Sequence, residues 1–450
     1  MNDLMRRQSR GDDVLARISI GNIGQHQRSS VPTVLFLCLI ALIILGGTND
    51  TLLARYQFVF IGAFLVWSVL RALFTPRRLT HREKLVLGAM ALTCATTVFE
   101  LFVSLEKALT LRISLYFLIY FLCMLCYQKT SVYVRLFNCI RVCALVLGLT
   151  IILSAILKGT FVSIFSFWLT NGDRVALDIR YGQFSGLIGD RSFAAIAMCT
   201  GIYAEFAAVF AGARLTKRSL VSIAICLVAM LLTGKRITII MLLGGLLIVM
   251  LLSNSRKIRK AVIGILAALI VLAAIAMAVL PQTQVTLYRV VEGLSDTTFN
   301  DRIHFWTTAW DMFLQKPVFG WGLGSYLSYN YLFGDGIRQY AHNMYLQLLA
   351  ERGIVGTALT LFVFIASFIV TLQTLRAKSR ENVRNGQTTK PYGKADIGYT
   401  LCMFSLMSQV GFLIYGMTGY PIYNLHQGFF YAICVAMVLS IRVEMRNIKR

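Results

Sequence analysis

The chain has 450 residues, 57% of them hydrophobic and only 14% charged, and its apolar runs of about 20 residues are long enough to cross a bilayer core as helices. That composition excludes a soluble globular domain and indicates an all-α polytopic membrane protein. The formal net charge of +24 does not indicate a nucleic-acid partner, because the cations concentrate in the connections on one side of the membrane.

In chain order, a basic tail over residues 1–31 precedes a first apolar run that lacks a small-residue cleavage site, so that run reads as an uncleaved span. Spans are expected at 32–47, 57–74, 85–103, 113–127, 136–156, 192–213, 219–233, 237–253, 261–281, 354–374, 398–418 and 428–441. This divides the chain into a cytoplasmic tail (1–31), nine spans (32–281), a large outer loop (282–341), three further spans (342–441) and a cytoplasmic tail (442–450). Lys and Arg on the side of the termini outnumber those on the other side roughly two-fold, the positive-inside signature. All six prolines fall at span ends or in loops, so the spans read as continuous helices. None of the ten cysteines falls in a loop placed outside, which excludes a disulfide framework there. Cys123 and Cys126 form a CxxC inside an apolar span, where a redox or metal role is not expected.

Two outer segments are long, 157–191 and 282–341. Long connections carry function or are disordered, and the aromatic content of the second, with Trp306, Trp310, Trp321, Tyr326, Tyr329, Tyr331 and Tyr340, argues against disorder. Within it Trp306, Trp310 and Phe313 recur at i, i+4 and i+7 beside Ile303 and Leu314, which predicts an amphipathic helix over 301–314 on the membrane surface, ended by Pro317. The outer cations are mostly arginines, among them Arg174, Arg180, Arg191, Arg236, Arg302 and Arg338. Arginine suits bidentate binding of phosphate, and pairing with acids of the same loops, such as Asp173, Asp178 and Asp190, is the plainer reading for most of them. The turn Thr233-Gly234-Lys235-Arg236 is too tight to hold an acid and leaves two cations together.

His342 stands where the large outer loop re-enters the membrane. Asn343 is a plausible N-cap for the following helix, and the positive end of that helix would keep the imidazole neutral and able to accept a proton. Gly353 and Gly356 follow at a spacing that permits close packing on a neighbouring span. Gly320-Trp321-Gly322-Leu323-Gly324 imitates a phosphate-cradling loop but lacks the strand and helix of a nucleotide site, and reads as a tight loop. His304 and His426 are also placed outside, with no spacing that assembles a metal site; neither metal nor cofactor is expected.

Together these features resemble the superfamily of O-antigen ligases and Wzy-type polysaccharide polymerases. The resemblance rests on Arg302-Ile-His-Phe-Trp306, on Lys316-Pro-Val-Phe-Gly320-Trp-Gly322-Leu-Gly324, and on His342-Asn343 with Gly353 and Gly356. Thr233-Gly-Lys235-Arg236 is similar to the family's Thr-x-Ser-Arg turn with Lys in place of Ser. Arg180-Tyr-Gly182-Gln-Phe184 resembles its Arg-x-x-Gly segment, although Gly189-Asp-Arg191-Ser-Phe193 replaces the usual continuation.

The resemblance implies a GT-C-like, metal-independent, inverting glycosyltransferase of the bacterial inner membrane, with both termini cytoplasmic and the site on the periplasmic face. The donor would be a glycan on undecaprenyl pyrophosphate and the acceptor a lipid-linked glycan or lipid A core. Membrane lipids and other polysaccharide assembly proteins would be its partners. Arg236, Arg302 and Arg180 carry over as the functional arginines, with His342 handling the acceptor proton and Lys235, Arg191, Trp306 and Asn343 binding substrate. Similarity of the last three spans to exopolysaccharide production proteins favours a polymerase over a ligase. A transporter or flippase without chemistry would instead need essential mid-membrane charges, for which Glu205 is the clearest candidate.

Overall fold

The computed structural model describes residues 31–47, 50–74, 79–252, 297–334, 336–384 and 396–447, with six further positions between 259 and 271. Every long element among them is a helix: α1 (Val31–Gly46), α2 (Leu52–Leu73), α3 (His81–Val103), α4 (Lys107–Leu125), α5 (Thr130–Leu157), α6 (Gly159–Ile164), α7 (Gly172–Arg180), α8 (Arg191–Phe210), α9 (Lys217–Leu232), α10 (Ile237–Leu252), α11 (Thr297–Gln315), α12 (Ser325–Phe333), α13 (Met344–Arg384), α14 (Ile397–Tyr415) and α15 (Leu425–Asn447). Eight of the described helices are long and apolar enough to cross a membrane, and α1 and α10 are shorter apolar helices. Each expected span meets a helix except 261–281, which lies largely outside the described residues, as do the tail 1–30, the loop 282–296 and most of the basic segment 376–394.

Helix starts are set by local capping. Thr80 and Glu83 form a reciprocal capping box on α3, and Asp190, Thr216 and Asp396 cap α8, α9 and α14, each satisfying backbone N–H groups that have no partner within the helix. The bundle is organised about α8, α14 and α15. These bury 78, 67 and 72% of their apolar windows, against 33–50% for the other long helices, which mark the periphery. Helices α3, α4 and α13 pack on one side, and α1, α5, α9 and α10 on the other. Ion pairs close one end, where the buried Glu83 receives Arg446 at 3.0 Å and Arg442 at 3.6 Å. At the opposite end the N–H of Met344 donates to the carbonyl of Gly416 at 2.7 Å, tying the start of α13 to the α14–α15 connection.

The helix expected to run from Asn343 through Gly353 is broken in α13, just before the expected span 354–374. At Gly353 the backbone turns to φ 60°, ψ −166°, splitting α13 into two helical pieces. The segment 317–322 lies across the break and satisfies the groups it frees. The N–H groups of Ile354 and Val355 donate to the carbonyls of Pro317 and Val318 at 2.8 and 3.2 Å, while Trp321 and Gly322 N–H donate to the carbonyls of Ala350 and Glu351 at 3.3 and 2.7 Å. Irregular backbone at membrane depth persists only where protein satisfies it in this way. A Cβ at Gly353 would stand 2.4 Å from the Val318 carbonyl, and one at Gly320 would stand 2.4 Å from that of Glu351. Glycine is therefore required on both sides of the contact.

The helix predicted over 301–314 is present as α11 and ends before Pro317. Phe305, Ala309 and Met312 are buried, whereas Ile303, Trp310 and Leu314 remain 42–58% exposed. Of the expected stripe Phe313 is also buried and Trp306 half-buried, while Trp310 stays exposed, and α11 packs on α13. Segment 157–191 is also ordered, folding into α6, α7 and a short 3-10 turn at Gly186–Ile188.

Candidate functional site

The site forms where four connections meet at the end of the bundle opposite Glu83. The first is the turn between α9 and α10. Gly234 adopts φ 74°, and Gln183 packs so closely that a Cβ there would be 3.1 Å from its Cγ. The N–H of Phe184 donates to the carbonyl of Leu232 at 3.0 Å. This contact seats the 181–184 segment on the turn that carries Lys235 and Arg236. Burial, then repulsion from Arg191, pulls the Lys235 ammonium down to about 8, and Arg302 is a further cation acting on it. Asp190 and Asp178 oppose the shift, so the turn that lacks an acid of its own receives two from α7 and the start of α8.

Those acids are themselves engaged. Arg174 bridges Asp50 at 3.1 Å and Asp190 at 3.0 Å, and Arg191 lies 3.7 Å from Asp178. Arg338 pairs with Glu106. For Arg174, Arg191 and Arg338, pairing with acids is therefore the observed arrangement. Arg302 differs: burial and then Arg236 hold its guanidinium below its ordinary value, and Tyr415 is the group that opposes them. Two arginines, one from α11 and one from the α9–α10 turn, are thus near enough for the charge of one to act on the other.

His342 completes the cluster. It adopts φ 49°, a left-handed conformation that costs a non-glycine residue energy and is held by its surroundings. Asn343 caps α13, its Oδ1 accepting from the N–H groups of Tyr345 and Leu346 at 3.0 and 3.2 Å. The imidazole is pushed down to about 4, by burial first and then by Arg302 and Lys235. It is neutral as expected, but burial and two cations account for this where the helix end was expected to. The Gln339 amide nitrogen lies 2.9 Å from Nε2, so Nε2 is the accepting nitrogen. Phe305 and Tyr420 flank the ring at 6.2 and 5.8 Å between centroids, and Tyr340 stacks on Tyr420 at 4.1 Å.

Five of the residues singled out from sequence thus come together: Arg191, Lys235, Arg236, Arg302 and His342. Trp306 lies one turn beyond Arg302 on α11, half-buried. Asn343 is occupied as a helix cap. Arg180 is exposed at the end of α7, and Gln183 and Phe184 are the residues of its segment that reach the turn. Sequence reading missed Tyr340 and Tyr420, whose proximity arises only from folding, and it missed Glu351. The buried Glu351 Oε1 accepts from the Tyr326 N–H at 3.1 Å and from Gln347 Nε2 at 3.2 Å, and Gln347 Oε1 accepts from the Ala341 N–H at 3.3 Å. A buried acid therefore links the glycine-rich loop to the residue preceding His342. Its signal was a lone carboxylate in an apolar run.

A cluster of cations beside a neutral, accepting imidazole and stacked aromatic rings suits an anionic leaving group, a proton-donating nucleophile and a sugar ring. Glu205, the expected mid-membrane charge of a transporter, is held by Arg141 through bonds of 2.9 and 2.6 Å. Residues 221–361 match the family model described as O-antigen ligase. The matched segment contains Lys235, Arg236, Arg302, Trp306, His342 and Asn343 and leaves out Arg180 and Arg191. No curated protein matches the chain.

Proposed function

We propose that this membrane protein, which carries an O-antigen ligase domain over residues 221–361 and belongs by it to a superfamily of glycosyltransferase-like ligases and polymerases, transfers a glycan from undecaprenyl pyrophosphate to an acceptor hydroxyl. The reaction takes place on the periplasmic face of the inner membrane and joins lipid-linked repeat units. The supporting observation is the juxtaposition of His342 with Arg302 and Lys235. Arg302, Arg236 and Lys235 would hold the pyrophosphate and stabilise the charge that develops on it as it leaves. An acceptor hydroxyl in place of the Gln339 amide would donate to Nε2, and the oxygen would attack the anomeric carbon from the side opposite the pyrophosphate, giving inversion without a metal.

The same cations couple the two halves of the site. Without donor they lower the basicity of His342; a bound pyrophosphate neutralises them and raises it. The imidazole is therefore a stronger base when the leaving group is in place. The matching family of O-antigen ligases supports a second reading, in which the acceptor is lipid A core. Reconstitution with a lipid-pyrophosphate-linked repeat, with and without lipid A core, separates the two. A ladder of products without core establishes polymerisation, and product only with core establishes ligation. Full activity of both His342→Ala and Arg302→Ala would overturn the site.

A further inference from the structure

In the half of the bundle nearer Glu83, helices α5, α8 and α9 line an open cavity of about 150 Å³. Arg141 projects into it from α5, with Nε and one terminal nitrogen bonded to Glu205 at 2.9 and 2.6 Å. A guanidinium has five N–H donors, and the Arg141 side chain is 28% exposed, so part of its donor edge faces the cavity. Arg218 and Ser222 of α9 and Asn138 of α5 also line it, with Val142 and Leu145 as its apolar walls.

The charges do not balance. Arg141 and Glu205 cancel, Arg218 adds one cation, and the first turn of α9 carries Lys217 and Arg218 with no acid. Cations at the positive end of a helix are unfavourable unless an anion offsets them. From the cavity an apolar stripe runs along α5 through Val142, Val146, Leu149 and Leu153, at i, i+4, i+7 and i+11, exposed by 45, 51, 49 and 38%. An oxyanion-sized cavity with one excess positive charge thus opens onto a lipid-facing track. Ser222 and Lys235 are thirteen residues apart on α9 and the turn after it, about 20 Å, so this place is separate from the candidate glycosyl-transfer site.

We propose that the cavity binds the phosphodiester of an anionic phospholipid. Arg218, Ser222 and the outward edge of Arg141 contact the phosphate, and an acyl chain follows the α5 stripe. A single negative charge matches the single excess cation. The neighbouring Arg214 and Lys217, both exposed on the α8–α9 connection and the start of α9, disfavour a headgroup that also carries an amine.

The test is native mass spectrometry of the detergent-purified full chain with equimolar phosphatidylglycerol and phosphatidylcholine, with added inorganic phosphate as a separate arm. Wild type is expected to retain phosphatidylglycerol about five-fold better than phosphatidylcholine, and Arg218→Ala to bring the ratio near one. Ser222→Ala, which spares both ion-pair partners, reduces the ratio in the same direction. Equal retention of the two lipids by wild type, or an unchanged ratio in both variants, overturns the proposal. Displacement of the lipid by millimolar phosphate also overturns it, in favour of a free-anion site.

Discussion

His342 illustrates how far a single residue can be understood from its neighbours. Its ring is neutral down to about pH 4, while Lys235 keeps its charge up to about pH 8. The kcat/KM for donor, which reports the groups of the free enzyme, should hold between these limits and fall as pH rises through about 8, because Lys235 then loses the proton that makes it a pyrophosphate ligand. Rate-against-pH profiles of wild type and Lys235→Arg check this: the arginine variant is expected to lack the alkaline fall. His342→Ala should lower the rate about 10²- to 10⁴-fold, the range associated with general acid–base catalysis, and single-turnover measurement at saturating donor reads it directly. Arg352 is the other residue whose setting dictates an outcome. It is fully buried, 2.7 Å from Glu100, and further bonded to Thr360 and Thr96 at 2.6 Å. Breaking a buried pair from one side costs about 3–5 kcal/mol, so Arg352→Met is expected to lower thermal stability in detergent sharply. Combination with Glu100→Gln should recover part of the loss.

Among the elements, α13 departs most from what its sequence suggests. The helix capped by Asn343 is expected to run on past Gly353 into the span at 354–374, and the absence of proline supports it. Nothing local announces the break at Gly353, because the compensation comes from residues 317–322, about thirty positions earlier. Gly353 and Gly356 were read as packing glycines, and part of that holds: a Cβ at Gly356 would lie 3.4 Å from Glu100 Oε1 of α3. Gly353 instead receives a loop. Gly353→Ala has to place a methyl group against the Val318 carbonyl in a left-handed conformation, costing about 2 to 6 kcal/mol. It should be recovered as aggregated or heat-labile protein, whereas Gly336→Ala, with open space around it, should carry only the backbone strain. In α11 the helix and its end were legible from aromatic spacing and Pro317. Which of its apolar residues pack on protein was not, since only the position of α13 selects Phe305, Ala309, Met312 and Phe313 and leaves Trp310 exposed.

For the molecule as a whole, the site and the Glu83 cluster occupy opposite ends of one bundle. With the proposed topology, Tyr181→Cys on the site end should react with a membrane-impermeant maleimide from outside intact spheroplasts. Arg380→Cys should react only after permeabilisation. The reverse pattern would place the site in the cytoplasm and remove the periplasmic donor from consideration.

Membrane class, most helix positions and the residues of the cation–imidazole cluster could be read from the chain alone. Hydropathy, capping and charge asymmetry act locally or add up over short windows, and composition records them directly. Tertiary structure decided which cations stay paired with acids and which face His342, and why the imidazole is neutral. It also decided that α13 is broken and that Glu351 joins the glycine loop to the histidine turn. Each of these depends on burial and on charges brought from distant segments, quantities that have no value until the chain has folded.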